Sequence, residues 1–337
     1  MKSILYVGNK LSHYGFTPGV IETIGPLLEK EGYSVHYAGT YKNQLLRMVE
    51  ILWKTTTIGR RVDYILIDTY STSAFWYAYL TSRVAKLAGT KYIPILHGGD
   101  LPKRLTRSIR ASNILFNNSC ANVAVSGYLQ HEFEKQGYKT VIIPNSIDIN
   151  KYPFRLRAQP KPRLLWVRSF HRQYNPNLAA DVLVELLNSY HDAELCMVGP
   201  DKDGSMIEFR DYVRGKGIEN YVRITGRLSK EEWISLSQDY DFFINTTYVD
   251  NTPISVIEAL ALGMCVISTD PGGIPYLLND GIDSCLVRPG DSRAMADKIN
   301  MLINNTHLAK SISEKARQKA QAFDWEQVRE KWIELLK

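Results

Sequence analysis

The densest set of reactive side chains in this sequence of 337 residues runs from Asn245 to Glu258. Two acids in it, Asp250 and Glu258, are separated by seven residues across a polar loop that leads into an apolar, helix-like segment. Both carboxylates and the free N–H groups of that helix can therefore converge on one ligand. A structural interpretation fits equally well, because Ser255-x-x-Glu258 matches a capping box and residues 250–253 match a turn.

Two arginines could supply positive charge to the same ligand. Arg168 directly follows a strand-like run, and Arg172 lies four residues further on. A guanidinium makes bidentate contacts with phosphate, and a position at the end of a strand points Arg168 towards the mouth of a parallel sheet. A structural salt bridge is the alternative role for Arg168.

A glycine-containing loop at residues 8–19 follows the first strand-like run. We expect Thr17 to be the N-cap and Pro18 the first residue of the next helix. Such a loop can hold a phosphate at a helix N-terminus, although a tight strand-to-helix turn explains it as well. The glycine spacing is neither G-x-G-x-x-G nor a P-loop, which disfavours a nicotinamide oxidoreductase.

His97 follows another strand-like run and precedes two glycines that permit close approach of a ligand to the backbone. A histidine at this place suits ligand binding, and the alternative is a histidine that only bonds to its own turn. Asp201-Lys202-Asp203 has the form of a two-carboxylate metal site, but it lies in a polar turn without acidic neighbours. The histidines and cysteines show no metal-ligand spacing, so we predict no metal site and no cofactor.

Parallel α/β sheets must position these groups, because short apolar runs alternate with segments long enough for crossover helices. Ligands of such sheets bind beyond the carboxyl ends of the strands, where the residues named above lie. The predicted strands are Ser3–Gly8, Ser34–Tyr37, Tyr64–Asp68, Tyr92–Leu96, Asn122–Val125 and Thr140–Ile143, then Arg163–Val167, Glu194–Val198, Val222–Thr225, Asp241–Asn245, Cys265–Ser268 and Cys285–Val287.

The chain length suits two domains, and the proline-rich segment 153–162 is the predicted linker. We predict domains over residues 1–157 and 158–322, followed by a helix in 323–337. That helix begins with a capping box at Asp324 and carries an apolar stripe, which consists of Trp325, Val328, Trp332 and Leu335.

Composition excludes several classes of protein. Apolar residues make up 45% and charged residues 23%, as in an ordinary globular chain, and neither a membrane span nor a signal peptide is predicted. Four scattered cysteines argue against a disulfide scaffold and favour a cytoplasmic location.

Charge is divided unevenly along the chain. Residues 1–160 hold 20 Lys and Arg against 10 Asp and Glu, and residues 161–337 hold 21 against 25, so the net charge of +6 divides into +10 and −4. Lys103, Arg104, Arg107 and Arg110, with the pair Arg60 and Arg61, could dock on an anionic membrane surface or a lipid-diphosphate acceptor. A solvated helix face is the alternative.

Several motifs together resemble those of the retaining glycosyltransferases of family 4, which have the GT-B architecture of two Rossmann-like, doubly wound α/β domains facing across a cleft. The motifs follow the family in order and spacing. They are His97-Gly98-Gly99, Val125-Ser126, Ile143–Asp148, Thr225–Leu228, Asp250-x7-Glu258 with the following Ala259–Gly263, and Ser268–Pro275. The resemblance implies that the last helix packs back on the first domain.

The resemblance also implies a role for each site residue. His97 would lie beside the donor sugar, and Arg168 would bind phosphate. Glu258 would bind the ribose, and Asp250 would reach the sugar. Further donor contacts are implied at Gly15, Gly199, Arg227, Leu228, Thr252, Pro253, Ile254 and Ser255.

Two departures from the family pattern concern charged residues. The family has Glu where this chain has Asp250, whose side chain is one methylene shorter. A lysine of the family corresponds to Tyr174 here, and Arg172 could supply the charge that is missing.

The function implied is metal-independent transfer of a sugar from a nucleoside-diphosphate sugar to a glycan or lipid-linked acceptor, as in polysaccharide biosynthesis. The enzyme would be cytoplasmic, with peripheral attachment to the cytoplasmic membrane face as a further expectation. A sugar-nucleotide epimerase of the same fold is one alternative. A nucleic-acid-binding protein is disfavoured, because no recognition motif is present and acids at the strand ends would repel a phosphate backbone.

Overall fold

The computed structural model describes residues 2–16 and 18–337, and it divides the chain into two compact units. Unit 1 consists of Met1–Ser146 together with Glu330–Lys337, and unit 2 of Ile147–Arg329. Each unit is built on one six-stranded sheet.

The sheet of unit 1 is parallel throughout and has the strand order β2-β1-β3-β4-β5-β6. Its strands are β1 (Ser3–Val7), β2 (Ser34–Ala38), β3 (Tyr64–Thr69), β4 (Lys91–Leu96), β5 (Val123–Ala124) and β6 (Val141–Ile142). Its helices are α1 (Val20–Lys30), α2 (Gln44–Thr57), α3 (Ala74–Ala88), α4 (Leu101–Arg107), α5 (Ile109–Asn117) and α6 (Gly127–Lys135). The central strands β1 and β3 are almost completely buried, as their runs of isoleucine, leucine and valine require.

The sheet of unit 2 is also parallel and has the order β12-β11-β10-β7-β8-β9. Its strands are β7 (Arg163–Val167), β8 (Glu194–Val198), β9 (Val222–Gly226), β10 (Phe242–Asn245), β11 (Cys265–Thr269) and β12 (Cys285–Val287). Its helices are α7 (Pro176–Leu187), α8 (Ser205–Lys216), α9 (Lys230–Leu236), α10 (Ile254–Ala261), α11 (Ile274–Leu277), α12 (Ser292–Asn304) and α13 (Thr306–Gln321). The last helix, α14 (Trp325–Leu335), begins in unit 2, and its residues from Glu330 onward belong to unit 1.

Alternate residues of the unit 2 strands enter two separate hydrophobic clusters. Leu164 and Trp166 of β7 belong to one cluster, and Leu165, which lies between them, belongs to the other. This alternation follows from the two-residue period of a strand and shows that both faces of the sheet are covered.

All twelve predicted strands are present, and the α/β fold class is confirmed. The order in unit 2 is that of a Rossmann sheet, whereas the order in unit 1 is that of a flavodoxin-like sheet with one added strand. In both sheets the winding reverses beside the first strand, between β1 and β3 and between β7 and β10. Ligands of doubly wound sheets bind at such points.

Three local predictions were wrong. Helix α1 begins at Val20 with Gly19 as N-cap, so Pro18 is not its first residue, and Thr17 lies outside the described residues. At the end of α14, Leu335 is only half-buried, and the buried leucine is Leu336, which directly follows the helix.

The third concerns the predicted linker, which packs on unit 2. Arg155 forms a 2.6 Å ion pair with Asp241, and the buried Arg157 donates to the carbonyl oxygens of Leu262 and Ser237. The first part of unit 1 accordingly ends at Ser146, ahead of the boundary expected at residue 157. Two arginines with buried partners explain why a charged, proline-rich composition did not produce a solvated linker.

Candidate functional site

Arg168 occupies the strand-reversal point of unit 2. It follows β7 directly, and its backbone N–H donates to Val198 at the end of β8. Gly199, with φ of +150°, lies so close that a Cβ atom there would meet the carbonyl oxygen of Arg168 at 1.7 Å. Only glycine fits this close approach, so Gly199 acts by fixing the backbone that carries Arg168.

The guanidinium of Arg168 forms an ion pair with the carboxylate of Asp250. Only 16% of the Arg168 side chain and 13% of the Asp250 side chain are exposed. The guanidinium carbon also lies 4.2 Å from the centroid of the Tyr174 ring, a cation–π contact. Burial lowers the pKa of Arg168, and the interaction with Tyr174 opposes that shift. The predicted phosphate-binding arginine and the predicted acid are thus brought together.

The loop that carries Asp250 is fixed from two sides. The Gln173 amide donates to the carbonyl oxygen of Val249 at 2.9 Å, which ties the loop to the turn after β7. On the other side, Cβ atoms on Gly272 and Gly273 would meet the carbonyl oxygens of Asp250 and Asn251 at 2.4 and 2.1 Å. The loop after β10 is therefore held in place by the glycine turn after β11.

Helix α10 begins beside this ion pair. Pro253 is its N-cap, and no side chain caps the helix. The hydroxyl oxygens of Thr252 and Ser255 are buried and have no hydrogen-bond partner among the described residues. The structural alternative, a capping box at Ser255, is therefore wrong. Two unpartnered hydroxyl groups and the first N–H groups of α10, which begins at Ile254, are arranged as an anion site requires.

Glu258 is buried within α10 and has two partners on Oε1. The Tyr152 hydroxyl donates at 2.7 Å, and Lys230 Nζ, at the first residue of α9, approaches to 2.5 Å. Burial raises the pKa of Tyr152, and the neighbouring carboxylate raises it further. Oε1 of Glu258 therefore already has two donors beside it, and a carboxylate oxygen can also accept from a ligand hydroxyl group.

The remaining predicted residues of unit 2 are Arg172, Arg227 and Leu228, and none of the three is buried as Glu258 is. Arg172 is exposed and pairs with Glu208 at 2.5 Å, and Arg227 is also exposed. Leu228 is half-buried against the core, beside the start of α9. The structure thus places Arg172 in a surface ion pair, while the predicted phosphate role stays a prediction.

In unit 1, His97 is buried, and its ring is held by a hydrogen bond at one nitrogen and by stacking on one face. Nε2 lies 3.0 Å from Asp68 Oδ1, and the ring stacks on Tyr70 with centroids 4.9 Å apart. The Tyr6 hydroxyl donates to the same carboxylate oxygen at 3.2 Å. This chain of contacts fixes the orientation of the imidazole, as an outer carboxylate does for reactive histidines.

Gly15 lies in the loop after β1, in the left-handed conformation with φ of +83°. Glu22 of α1 ties this loop down, because its carboxylate accepts from Ser12 Oγ at 2.5 Å and from the Gly19 N–H at 3.0 Å. Although burial alone would raise it, these bonds lower the pKa of Glu22. The loop is anchored at both ends of the glycine segment.

The aspartates of the D-x-D sequence bind backbone N–H groups, one in their own turn and one in the turn after β7. Asp201 Oδ1 accepts from the Gly204 N–H at 3.0 Å, and Asp203 accepts from the Arg172 N–H at 3.1 Å. Over residues 2–16 and 18–337, no group of three or more His, Cys, Asp or Glu side chains is arranged to hold a metal ion.

Sequence reasoning missed three positioning residues, Asp68, Tyr152 and Lys230, and it noted Gly272 and Gly273 only as part of a motif, without their positioning role. Asp68 ends a predicted strand, and its position there could have pointed to the site. Tyr152 and Lys230 carry no such signal, because only the fold brings residues 106 and 28 positions away to Glu258.

A comparison with known families now identifies the chain. The profile described as glycosyl transferases group 1 matches residues 148–319, which are just over half of the chain and lie within unit 2. The chain belongs to the group 1 glycosyl transferases. The matched region contains Arg168, Asp250 and Glu258.

Curated relatives of this group 1 glycosyl transferase are distant. The uncharacterized glycosyltransferase MJ1178 of Methanocaldococcus jannaschii is 22% identical over 244 residues, which are 70% of this chain and 65% of that protein. The phosphatidyl-myo-inositol mannosyltransferase of Mycobacterium leprae is 24% identical over 210 residues, 60% of this chain and 55% of that protein. The chain thus spans less than two thirds of either relative.

Among solved structures, this group 1 glycosyl transferase is similar to Anabaena Alr3699/HepE in complex with UDP-glucose. The TM-score is 0.78 at 19% identity, and the match covers 100% of this chain and 99% of that one. The likeness shows that the fold is that of GT-B glycosyltransferases. The comparisons do not separate family 4 from its neighbours, so the finer assignment stays a prediction.

Proposed function

We propose that this protein is a retaining, metal-independent glycosyltransferase that moves a hexose from a nucleoside-diphosphate sugar to a glycan or lipid-linked acceptor. One observation carries the proposal: Arg168, Asp250 and two unpartnered hydroxyls at the start of α10 lie together at the strand reversal of unit 2. Cations and N–H dipoles concentrated at this point suit a diphosphate.

Departure of the diphosphate leaves positive charge on the sugar and negative charge on the phosphate oxygens. Arg168 and the backbone N–H groups of Thr252, Ile254 and Ser255 would stabilise that negative charge, so the chain's own groups can do what a divalent cation does in other transferases. Metal independence is proposed on this donor set of cations and dipoles.

Glu258 would hold the ribose through its carboxylate. Its burial and its contacts with Tyr152 and Lys230 fix its position, and its carboxylate oxygens can accept from a ribose hydroxyl group. The similar HepE structure is a complex with UDP-glucose, which makes UDP the first nucleotide to test.

Retention, the role of His97 beside the donor sugar and the contact of Asp250 with that sugar rest on the resemblance to family 4. In a front-face substitution the bond from the anomeric carbon to the phosphate oxygen breaks, and the bond to the acceptor oxygen forms on the same face. The leaving phosphate oxygen would accept the acceptor's proton, so no protein base is needed for that step.

A lipid-linked acceptor fits the name of the Mycobacterium leprae relative, which refers to a phosphatidyl-inositol. It would bring this enzyme to an anionic cytoplasmic membrane face. Among the described residues no helix is both long and apolar enough to cross a bilayer. The net charge of +10 over residues 1–160 supports the proposal that the basic first half makes this contact.

The test is calorimetric titration with UDP and UDP-glucose in the presence of a chelator, followed by NMR of the product's anomeric configuration with candidate acceptors. Binding that survives the chelator and an axial product from the α-configured donor are expected. No binding of any nucleoside diphosphate, an inverted product, or conversion of the donor's sugar without an acceptor would overturn the proposal.

A further inference from the structure

Helix α2 of unit 1 has an inverted polarity. Its inward face carries charge: Glu50 is buried and accepts from the Thr40 N–H at 2.7 Å, and Lys54 pairs with it at 2.8 Å. Arg47 is also buried and donates to the carbonyl oxygen of Tyr41. Although burial alone would raise it, the bonds from Lys54 and Thr40 lower the pKa of Glu50. The charged residues of this helix therefore lie on its inward face and make their contacts within unit 1.

The outward face of α2 is apolar. Leu45, Leu46, Val49 and Trp53 are exposed by 79%, 55%, 64% and 60%. At about 100° per residue, their positions fall within an arc of roughly 100°. We call these four side chains the α2 stripe. Four large apolar side chains on one exposed face form a contact surface, whereas single exposed apolar residues are ordinary.

Positive charge surrounds the α2 stripe. Glu50 is the only acid from Gly32 to Val62, a segment that holds five Lys and Arg. Arg60 and Arg61 follow the helix in a one-turn 3-10 helix, and both are exposed. Together with His36 and Trp53 they line a groove of about 600 Å³. One end of the α2 stripe therefore opens into a cationic groove.

We propose that the α2 stripe inserts into the interface of an anionic phospholipid bilayer, with the groove at Arg60 and Arg61 taking a lipid headgroup. An apolar helix face beside basic residues and a tryptophan is the arrangement of helices that lie in a membrane surface. This surface is distinct from the basic residues of α4, where Lys103 pairs with Asp100 and Arg104 binds the carbonyl oxygen of Ser71.

A second copy of the chain fits the surface less well. In a symmetric dimer built on the α2 stripe, Arg60 and Arg61 of one copy would lie near those of the other, without acids of this segment to offset them. Anionic headgroups complement the same charges. The bilayer is therefore the occupant that both the apolar and the charged residues favour.

The test is co-sedimentation of the full chain with vesicles of phosphatidylcholine and phosphatidylglycerol in equal parts, compared with phosphatidylcholine alone. We expect binding to the anionic vesicles that weakens with salt. Replacing Arg60 and Arg61 by Glu should lower the affinity at least about 30-fold, because each arginine near such a surface contributes roughly a fivefold gain. The charge-matched control is Arg210→Glu with Arg214→Glu on the exposed face of α8, which should leave binding unchanged.

The apolar part is tested by Val49→Glu, with Leu87→Glu as control, since Leu87 is 85% exposed on α3. Val49→Glu should abolish sedimentation, and the control should not. Vesicles with brominated acyl chains should quench tryptophan fluorescence in the wild type, and Trp53→Phe should remove that quenching while Trp76→Phe retains it. Circular dichroism verifies that each variant is folded.

Absence of binding to anionic vesicles overturns the proposal, as does equal loss in the control variants. A concentration-dependent dimer that Val49→Glu dissociates, without lipid binding, would assign the surface to a second copy instead. No donor or acceptor enters these assays, so their failure is distinguishable from failure of the proposed glycosyl transfer.

Discussion

Both units place reactive groups at the carboxyl ends of strands, but they hold these groups differently. In unit 1, Asp68 lies inside β3 and His97 directly follows β4, and the side chains are 1% and 5% exposed. In unit 2, Arg168 and Asp250 lie in loops beyond β7 and β10 and are partly exposed.

The two units differ in whether a bound ligand would have to rearrange existing contacts. The pair in unit 1 is fixed by strands and a stacked ring, so it is oriented before any ligand binds. The cation in unit 2 already has an anionic partner, so an incoming phosphate must share Arg168 with Asp250 or displace it. We therefore expect unit 1 substitutions to change turnover and unit 2 substitutions to change nucleotide binding as well.

Arg168→Ala should have the largest effect. It removes the cation expected to stabilise the leaving diphosphate, and the loss of one such group lowers turnover about a hundred- to a thousandfold. UDP affinity measured by calorimetry should fall with it. Arg210→Ala, on an exposed face of α8, is the control. A loss in turnover below about tenfold would remove Arg168 from the reaction.

Asp68→Asn tests the expectation for unit 1, where Asp68 contacts His97. The amide cannot orient His97 as the carboxylate does, and loss of such an outer partner lowers activity about ten- to a hundredfold. The Kd for UDP should stay the same, because the proposed nucleotide site belongs to unit 2. Tyr6→Phe removes a weaker contact to the same carboxylate and should have a smaller effect. Equal losses in kcat and UDP affinity would show that Asp68 acts on folding.

Glu258→Ala should weaken UDP binding about tenfold or more, since a hydrogen bond to a charged group is lost. If the carboxylate binds the ribose, wild type should prefer UDP to its deoxyribose analogue, and the variant should not discriminate between them. Tyr152→Phe serves as control, because it keeps the carboxylate and removes one of its partners. A variant that still discriminates would assign the ribose contact elsewhere.

Asp250→Asn separates the two acids of α10 and its preceding loop. It removes the anionic partner of Arg168, so UDP should bind as well as before or more tightly, while turnover falls about tenfold through loss of the sugar contact. Single-turnover kinetics together with calorimetry would measure both. A Kd that rises as far as in Glu258→Ala would mean that Asp250 holds the loop rather than the sugar.

Sequence patterns predicted the features that are determined by residues close together in the chain, namely the strands and the residues that follow them. Every strand was predicted because buried parallel strands are short apolar runs, and Arg168 and His97 were singled out because they follow such runs. The partners were not predicted, because Tyr152 and Lys230 reach Glu258 only through the fold. Periodicity would also mislead for α2, because Glu50 is buried and Trp53 is exposed, which reverses the usual assignment of polar and apolar faces.

The role predicted for Arg172 from the sequence differs from the contact that Arg172 makes in the structure. Its substitution should have the smallest effect of those considered. The departure at Tyr174 predicts that Arg172 replaces a phosphate-binding lysine, whereas the structure pairs Arg172 with Glu208 at the surface. Interaction with Glu208 raises the pKa of Arg172, so it stays charged in either role.

An exposed ion pair contributes little, so Arg172→Ala should lower UDP affinity by no more than about fivefold. Glu208→Gln decides between the two roles because it frees Arg172 without removing it. If Arg172 reaches the diphosphate, Glu208→Gln should tighten UDP binding and Arg172→Ala should weaken it strongly. If both variants bind UDP like the wild type, Arg168 and the start of α10 provide the phosphate contacts without Arg172, and Tyr174 replaces the family's lysine by packing against Arg168 rather than by adding charge.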